Sequence, residues 1–111
     1  MATKGFDHIY LETHDWAASL AFWRALGFEL EWETDHHSGM LRNPAGGPAV
    51  FLAEQSLDDP LGIDLYLAGD PATPPEGVTV VQPFTPTHWG SQVMIVRDPD
   101  GRRIKLEAAA D

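Results

Sequence analysis

The 111-residue chain contains no cysteine. Disulfides, thiolate nucleophiles and thiolate metal sites are therefore excluded. Basic residues are also scarce, with 7 Lys and Arg against 17 Asp and Glu and a formal net charge of −10. Like-charge repulsion argues against nucleic acid and anionic membrane as partners, and makes a neutral or cationic ligand easier to accept. No apolar run approaches the roughly 18 residues that a membrane span needs. The opening residues Met-Ala-Thr-Lys-Gly-Phe-Asp-His lack the apolar stretch of a secretion signal, so a soluble cytoplasmic protein is expected. A second helix is missing as well. Asp70-Pro71-Ala72-Thr73-Pro74-Pro75-Glu76-Gly77 places three prolines within five residues, which forbids a regular helix there.

What remains is an ordinary globular composition, 43% apolar and 22% charged, with a length that suits one domain spanning 1–111. Phe6 to Thr13 reads as a strand whose alternation separates Ile9 and Leu11 from His8, Tyr10 and Glu12. One of its faces is greasy and the other carries chemistry. Asp15 then offers an N-cap carboxylate, and Trp16, Leu20 and Trp23 recur at helical spacing, with Phe22 and Leu26 widening the stripe. Gly27 ends the helix. Phe28-Glu29-Leu30-Glu31-Trp32-Glu33 alternates strictly and predicts a strand with one acidic face. Residues 40–42 and 49–53 give two more strands, and 55–62, with Asp59-Pro60, reads as a linker. Further strands are expected at 63–67, 78–82, 92–97 and 103–106.

A repeat links the halves. Arg42-Asn43-Pro44-Ala45-Gly46 and Arg97-Asp98-Pro99-Asp100-Gly101 share Arg-x-Pro-x-Gly, each between a strand and the last strand of its half. Asn or Asp opens such a turn, Pro fixes φ, and Gly permits φ above zero. The predicted class is α+β, built from two paired βαβββ-type modules. Module one is about 1–55 and module two about 62–111, with the helix of module two missing or reduced to a turn.

This order of elements resembles the vicinal-oxygen-chelate superfamily of glyoxalases, bleomycin-resistance proteins and extradiol dioxygenases. The resemblance is carried by Asp7-His8-Ile9, by Phe22-Trp23-Arg24-Ala25-Leu26-Gly27-Phe28, by His88-Trp89-Gly90 and by Arg97-Asp98-Pro99-Asp100-Gly101. It implies a glyoxalase-like fold whose sheets wrap a cleft, with His8, Tyr10, Glu12, Asp64, Tyr66, Trp89, Lys105 and Glu107 as candidate ligand-binding residues. Trp89, Tyr10, Tyr66 and Trp32 would stack on a planar ligand, although any one such residue more often serves the core or an interface.

Metal-dependent members of that superfamily take His or Glu ligands from the first and last strands of each module. Here the resemblance places His8 and Asp64 on the first strands. On the last strands stand Leu52 or a near neighbour and Lys105, neither of which offers a lone pair. Glu54 and Glu107 lie two residues further on, about 6.5–7 Å along the strand. No cofactor is therefore expected, with a divalent Zn, Ni, Mn or Fe at His8 as the alternative. Lys105 would pair with Glu107, Glu12 or Asp64, or anchor a ligand carboxylate. His14, His36 and His37 lack metal spacing, and no residue is assigned a catalytic role.

The reading implied is a metal-free binder that sequesters an antibiotic or metabolite, possessing the bleomycin-resistance type of cleft. The alternative is a metal-dependent glyoxalase-like lyase or isomerase, or a dioxygenase, using His8. Expected partners are a small cationic or aromatic ligand and a second copy of the chain. A homodimer would cover Ile63, Leu65 and Leu67, which the absent second helix leaves bare.

Overall fold

The structure is a computed structural model that describes residues 3–109. The outermost residues of both predicted modules, 1–2 and 110–111, lie outside the described residues. The order is β1 (Thr3–Thr13), α1 (Trp16–Ala25), β2 (Glu29–Glu33), β3 (Ser38–Arg42), β4 (Ala49–Glu54), β5 (Ile63–Gly69), β6 (Thr79–Pro86), β7 (Ser91–Arg97) and β8 (Arg103–Ala109). Two compact units result, His8–Ile63 and residues 64–109 with 3–7. Among the described residues no helix is long and apolar enough to cross a membrane.

The first unit orders its strands β2-β3-β4-β1, with β1 parallel to β4 and the other pairs antiparallel. A parallel pair needs a crossover, which α1 supplies. Asp15 caps that helix as the sequence predicts, its Oδ1 accepting the Ala18 N–H at 3.0 Å. Gly27, at φ 94°, closes it. Trp16, Leu41, Val50 and Leu52 form the buried core, with Leu11, Leu20, Trp23, Phe28 and Leu30 packed around them. Phe22 and Leu26 do not join the stripe, since both stay more than half exposed, at 58% and 54%. Phe22 instead lies edge-on against Trp23, whose own ring already fills the space beside Phe28.

Glu54 fixes the start of α1 from a distance. Its Oε2 accepts the Trp16 backbone N–H at 2.8 Å and its Oε1 meets His37 Nδ1 at 3.0 Å. His37 also stacks on the Trp16 ring, 6.5 Å between centroids.

β2 corrects the expected alternation. Leu30 pairs with Leu41 and Trp32 with Met40, so two residues of β2 advance against one of β3. Glu31 is the extra residue of a β-bulge, which turns the next side chain to the other face. Leu30 therefore enters the core, whereas Trp32 emerges beside Phe51. Gly39 gives the bulge its space, because a Cβ there would stand 2.6 Å from the Trp32 carbonyl oxygen.

The second unit repeats the same plan as β5-β8-β7-β6, with β5 parallel to β8. The two Arg-x-Pro-x-Gly turns start alike. Asn43 Oδ1 accepts the Ala45 N–H at 2.9 Å, as Asp98 Oδ1 accepts that of Asp100 at 2.9 Å. Gly46 and Gly101 both take positive φ, 110° and 89°. A second repeated turn carries no obvious sequence signature. Thr34 and Thr87 each donate their N–H to the Ser carbonyl four residues on, Ser38 and Ser91, at 2.8 Å.

No helix follows β5, as the prolines dictate. Met94, Val96 and Leu106 are nevertheless buried, with Leu67, Phe84 and Ile104 against them. The ring of Phe84 reaches across to Gly69, where an added Cβ would meet it at 3.3 Å. It comes from the far end of a strand that runs past its predicted limit at residue 82 and carries two bulges on either side of Gln82. Pro83 and Pro86 fit there because β6 is an edge strand. Leu67 is thus covered within its own unit, while Ile63 stays 69% exposed.

Phe84→Ala should lower unfolding free energy by about 2–3 kcal/mol in urea titrations, whereas Phe22→Ala should cost under about 1 kcal/mol. Glu54 supplies a pH test. The Trp16 backbone hydrogen bond, then His37, lowers its pKa from the ordinary 4.5. Its contribution is therefore complete above 4.5 and is lost as pH falls through the lowered value, so Glu54→Gln should flatten acid denaturation in that window.

Candidate ligand-binding site

Each unit has one face turned away from its core, and the candidate residues gather on these open faces. On the first unit, Tyr10 pairs across the strands with Phe51, Phe51 with Met40, and Met40 with Trp32. Cross-strand partners share a face. The rings follow suit. Tyr10 and Phe51 stack at 6.0 Å and 12°, and Trp32 tilts against Phe51 at 5.6 Å. Trp32 is 47% exposed. The result is an aromatic platform with a thioether set into it.

His8 lies on the same side of β1, opposite Ala49, and is buried. Glu12 is more engaged than the sequence suggests. Its Oε2 accepts the Tyr10 hydroxyl at 3.0 Å and its Oε1 accepts the Gly62 N–H at 2.7 Å. It thereby clasps the linker at Gly62, while Gln55 Nε2 donates to the Tyr10 hydroxyl at 3.4 Å.

On the second unit the open face is charged. Lys105 Nζ stands 3.1 Å from Asp64 Oδ2 and 5.3 Å from the centroid of Tyr66. Of the partners open to Lys105 in the sequence, the geometry selects Asp64. Desolvation pulls the Lys105 pKa down, but the Asp64 hydrogen bond and the charges of Tyr66 and Asp64 outweigh it and the net shift is upward. Burial raises the Tyr66 phenol. Glu107, two residues along β8, accepts the Trp89 indole N–H at 2.7 Å and the Ser91 hydroxyl at 2.8 Å, both on Oε2. Asp7 offers a carboxylate oxygen within 4.8 Å of Glu107.

The positions that the resemblance marks for metal ligands suit a metal poorly. Leu52 is 1% exposed inside the core, and the neighbour that reaches the open face is Phe51. Glu54 turns to α1, and the Asp64 carboxylate is held by an ammonium. His14 Nε2 donates to the Asp59 carbonyl, 2.8 Å away, and His36 lies against Asp35. Phe51 and Met40 escaped the sequence reading. The cross-strand register alone reveals them, and a run as apolar as 49–53 does not announce which side is which.

No family model matches the chain, and no curated protein matches it significantly. Solved structures do. A glyoxalase/bleomycin resistance protein/dioxygenase superfamily member from Vibrio splendidus 12B01 aligns with a TM-score of 0.68 at 21% identity, over 91% of this chain and 96% of that one. A glyoxalase/bleomycin resistance protein/dioxygenase from Nocardioides aligns over 100% of this chain and 87% of that one, at 17% identity and a TM-score of 0.42. TioX from Micromonospora sp. ML1 aligns over 94% and 98%, at 18% identity and 0.39. The chain has the glyoxalase/bleomycin resistance/dioxygenase fold, with one helix among the described residues. The resemblance read from the motifs is borne out at the level of fold.

Lys105→Met leaves the half-buried Asp64 carboxylate without its counter-ion and should cost about 1 kcal/mol in thermal or urea unfolding. Adding Asp64→Asn should recover most of that loss, a coupling that a double-mutant cycle measures directly.

Proposed function

We propose that this protein binds a small planar molecule on the Trp32–Phe51–Tyr10 platform and sequesters it without converting it. The observation that carries the reading is the exposed Trp32 ring, turned by the Glu31 bulge onto Phe51 and away from the core. Aromatic surface with a few polar groups beside it, here the Tyr10 hydroxyl and Glu12, is what small-molecule sites are commonly lined with. A tryptophan left half-wet against a phenylalanine ring serves packing poorly and stacking well. The excess of acidic residues favours a ligand with cationic character. The bleomycin-resistance component of the fold's name supports an antibiotic or similar metabolite as cargo. Phe51 and Lys105, at positions where metal-dependent members hold ligands, support binding without a resident metal.

A second reading, a metal-dependent glyoxalase-like lyase or dioxygenase, is favoured by one observation: Asp7 and Glu107 bring carboxylate oxygens within 4.8 Å, and His8 follows Asp7 in β1. Elemental analysis of protein purified without a metal-binding tag separates the two, and stoichiometric Zn, Ni, Mn or Fe would favour the enzyme. A homodimer is proposed as the working state, supported by the exposure of Leu57 and Leu61 on the linker and of Ile63 at the start of β5.

Titration with bleomycin and with planar cations such as proflavine tests the platform. Trp32→Ala should weaken the binding found by about tenfold or more, the worth of one lost stacking contact. Leu26→Ala, at the exposed C-cap of α1, should leave it unchanged. Equal affinity in wild type and Trp32→Ala would remove the platform from the function.

A further inference from the structure

We propose that the open face of the second unit selects a small aromatic zwitterion, with a ligand carboxylate at Lys105, a ligand ammonium at Glu107 and an aromatic ring against Trp89. It goes beyond the platform reading, because other residues, all in the second unit, carry it.

The duplicated scaffold provides the argument. Tyr10 and Tyr66 stand 56 residues apart and occupy matching places, each on the first strand of its unit and paired with the last. Opposite Tyr10 is Phe51, and opposite Tyr66 is Lys105. The scaffold therefore accepts an aromatic side chain at that place, and packing does not require a lysine. Of the 7 basic residues, Lys105 alone is withdrawn from the exposed class. Withdrawing an ion pair from water contributes little stability, and an apolar replacement often does as well. Asp64 already holds this ammonium at 3.1 Å. A lysine–aspartate pair thus stands where packing accepts an aromatic ring, and a ligand carboxylate joining Asp64 at Lys105 supplies the reason.

That anion cannot arrive alone. Glu107 projects from the same face two residues on, about 6.5–7 Å along the strand, with the Asp7 carboxylate close to it. A plain carboxylate ligand would be repelled by both, and a plain amine would face the Lys105 charge. A zwitterion answers each with the opposite sign. Glu107 is also pre-oriented for this work: the Trp89 and Ser91 donors both fall on Oε2, which fixes the carboxylate plane. The same hydrogen bond holds the indole of Trp89, 55% exposed, beside the charged pair.

Calorimetric titration at low salt with tryptophan, tryptamine and indole-3-propionate tests the inference, because the three share one ring and differ in charge. Tryptophan should bind at least tenfold tighter than either. Lys105→Met should erase its advantage over tryptamine while Lys105→Arg keeps it, and Glu107→Gln should erase its advantage over indole-3-propionate. Circular dichroism melts confirm that each variant is folded. Equal affinities for the three, survival of the tryptophan advantage in Lys105→Met, or no binding of any at millimolar concentration would overturn the proposal. If it is overturned while Trp32→Ala still weakens planar-cation binding, the platform reading stands and only the charge selection falls.

Discussion

The two-residue period of the β-strand, and its interruption at one place, determine what this protein presents to its surroundings. Alternation sends Leu11, Val50 and Leu52 beneath α1 and leaves Tyr10, Phe51 and Met40 on the opposite side. Without an interruption, Leu30 and Trp32 would share the buried side. The bulge at Glu31 separates them, at the cost of an unpaired residue and of a glycine at position 39. Leucine goes to the core and tryptophan to the open face. The aromatic platform depends on that single extra residue.

The duplicated plan was kept where backbone geometry matters and altered where chemistry does. Both units share strand order, the Asx-type turns at Asn43 and Asp98, and the Thr–Ser hairpin apices. Left-handed backbone recurs just before each of those serines, at His37 and Gly90. The open faces then diverge. One is aromatic, built on Tyr10 and Phe51, and the other is ionic, built on Asp64, Lys105 and Glu107. The cores diverge too, since a helix covers the first and a single phenylalanine from an edge strand closes the second. Phe84 comes from β6, whose pairing with β7 shifts register on both sides of Gln82.

Much of the fold was legible in the sequence because local rules and tertiary packing agree. Asp15 and Gly27 bound the one helix, prolines 71, 74 and 75 exclude another, and paired Arg-x-Pro-x-Gly turns mark the duplication. The site was legible in part. Alternation alone assigns Tyr10, Glu12, Asp64, Tyr66, Lys105 and Glu107 to their faces. It fails at Trp32, since a bulge leaves no residue signature stronger than a glycine on the neighbouring strand. It also misjudges Phe22 and Leu26, whose helical spacing fits the stripe although Trp16, Leu20 and Trp23 already occupy the available sheet. The engagement of Glu12 with Gly62 escapes because it joins residues 50 apart by a hydrogen bond rather than by a pattern.

Ligands meet the side of the first sheet where Met40 lies between Trp32 and Phe51 if the platform is the binding surface. The chain has 3 methionines, and Met40 and Met94 sit in different units, Met94 within a buried core. Methyl-labelled methionine spectra recorded during titration with a planar cation read that side directly. The Met40 methyl should move by the ring current of the incoming plane while the Met94 methyl stays still. A Met40 signal unmoved at saturating ligand would contradict the account.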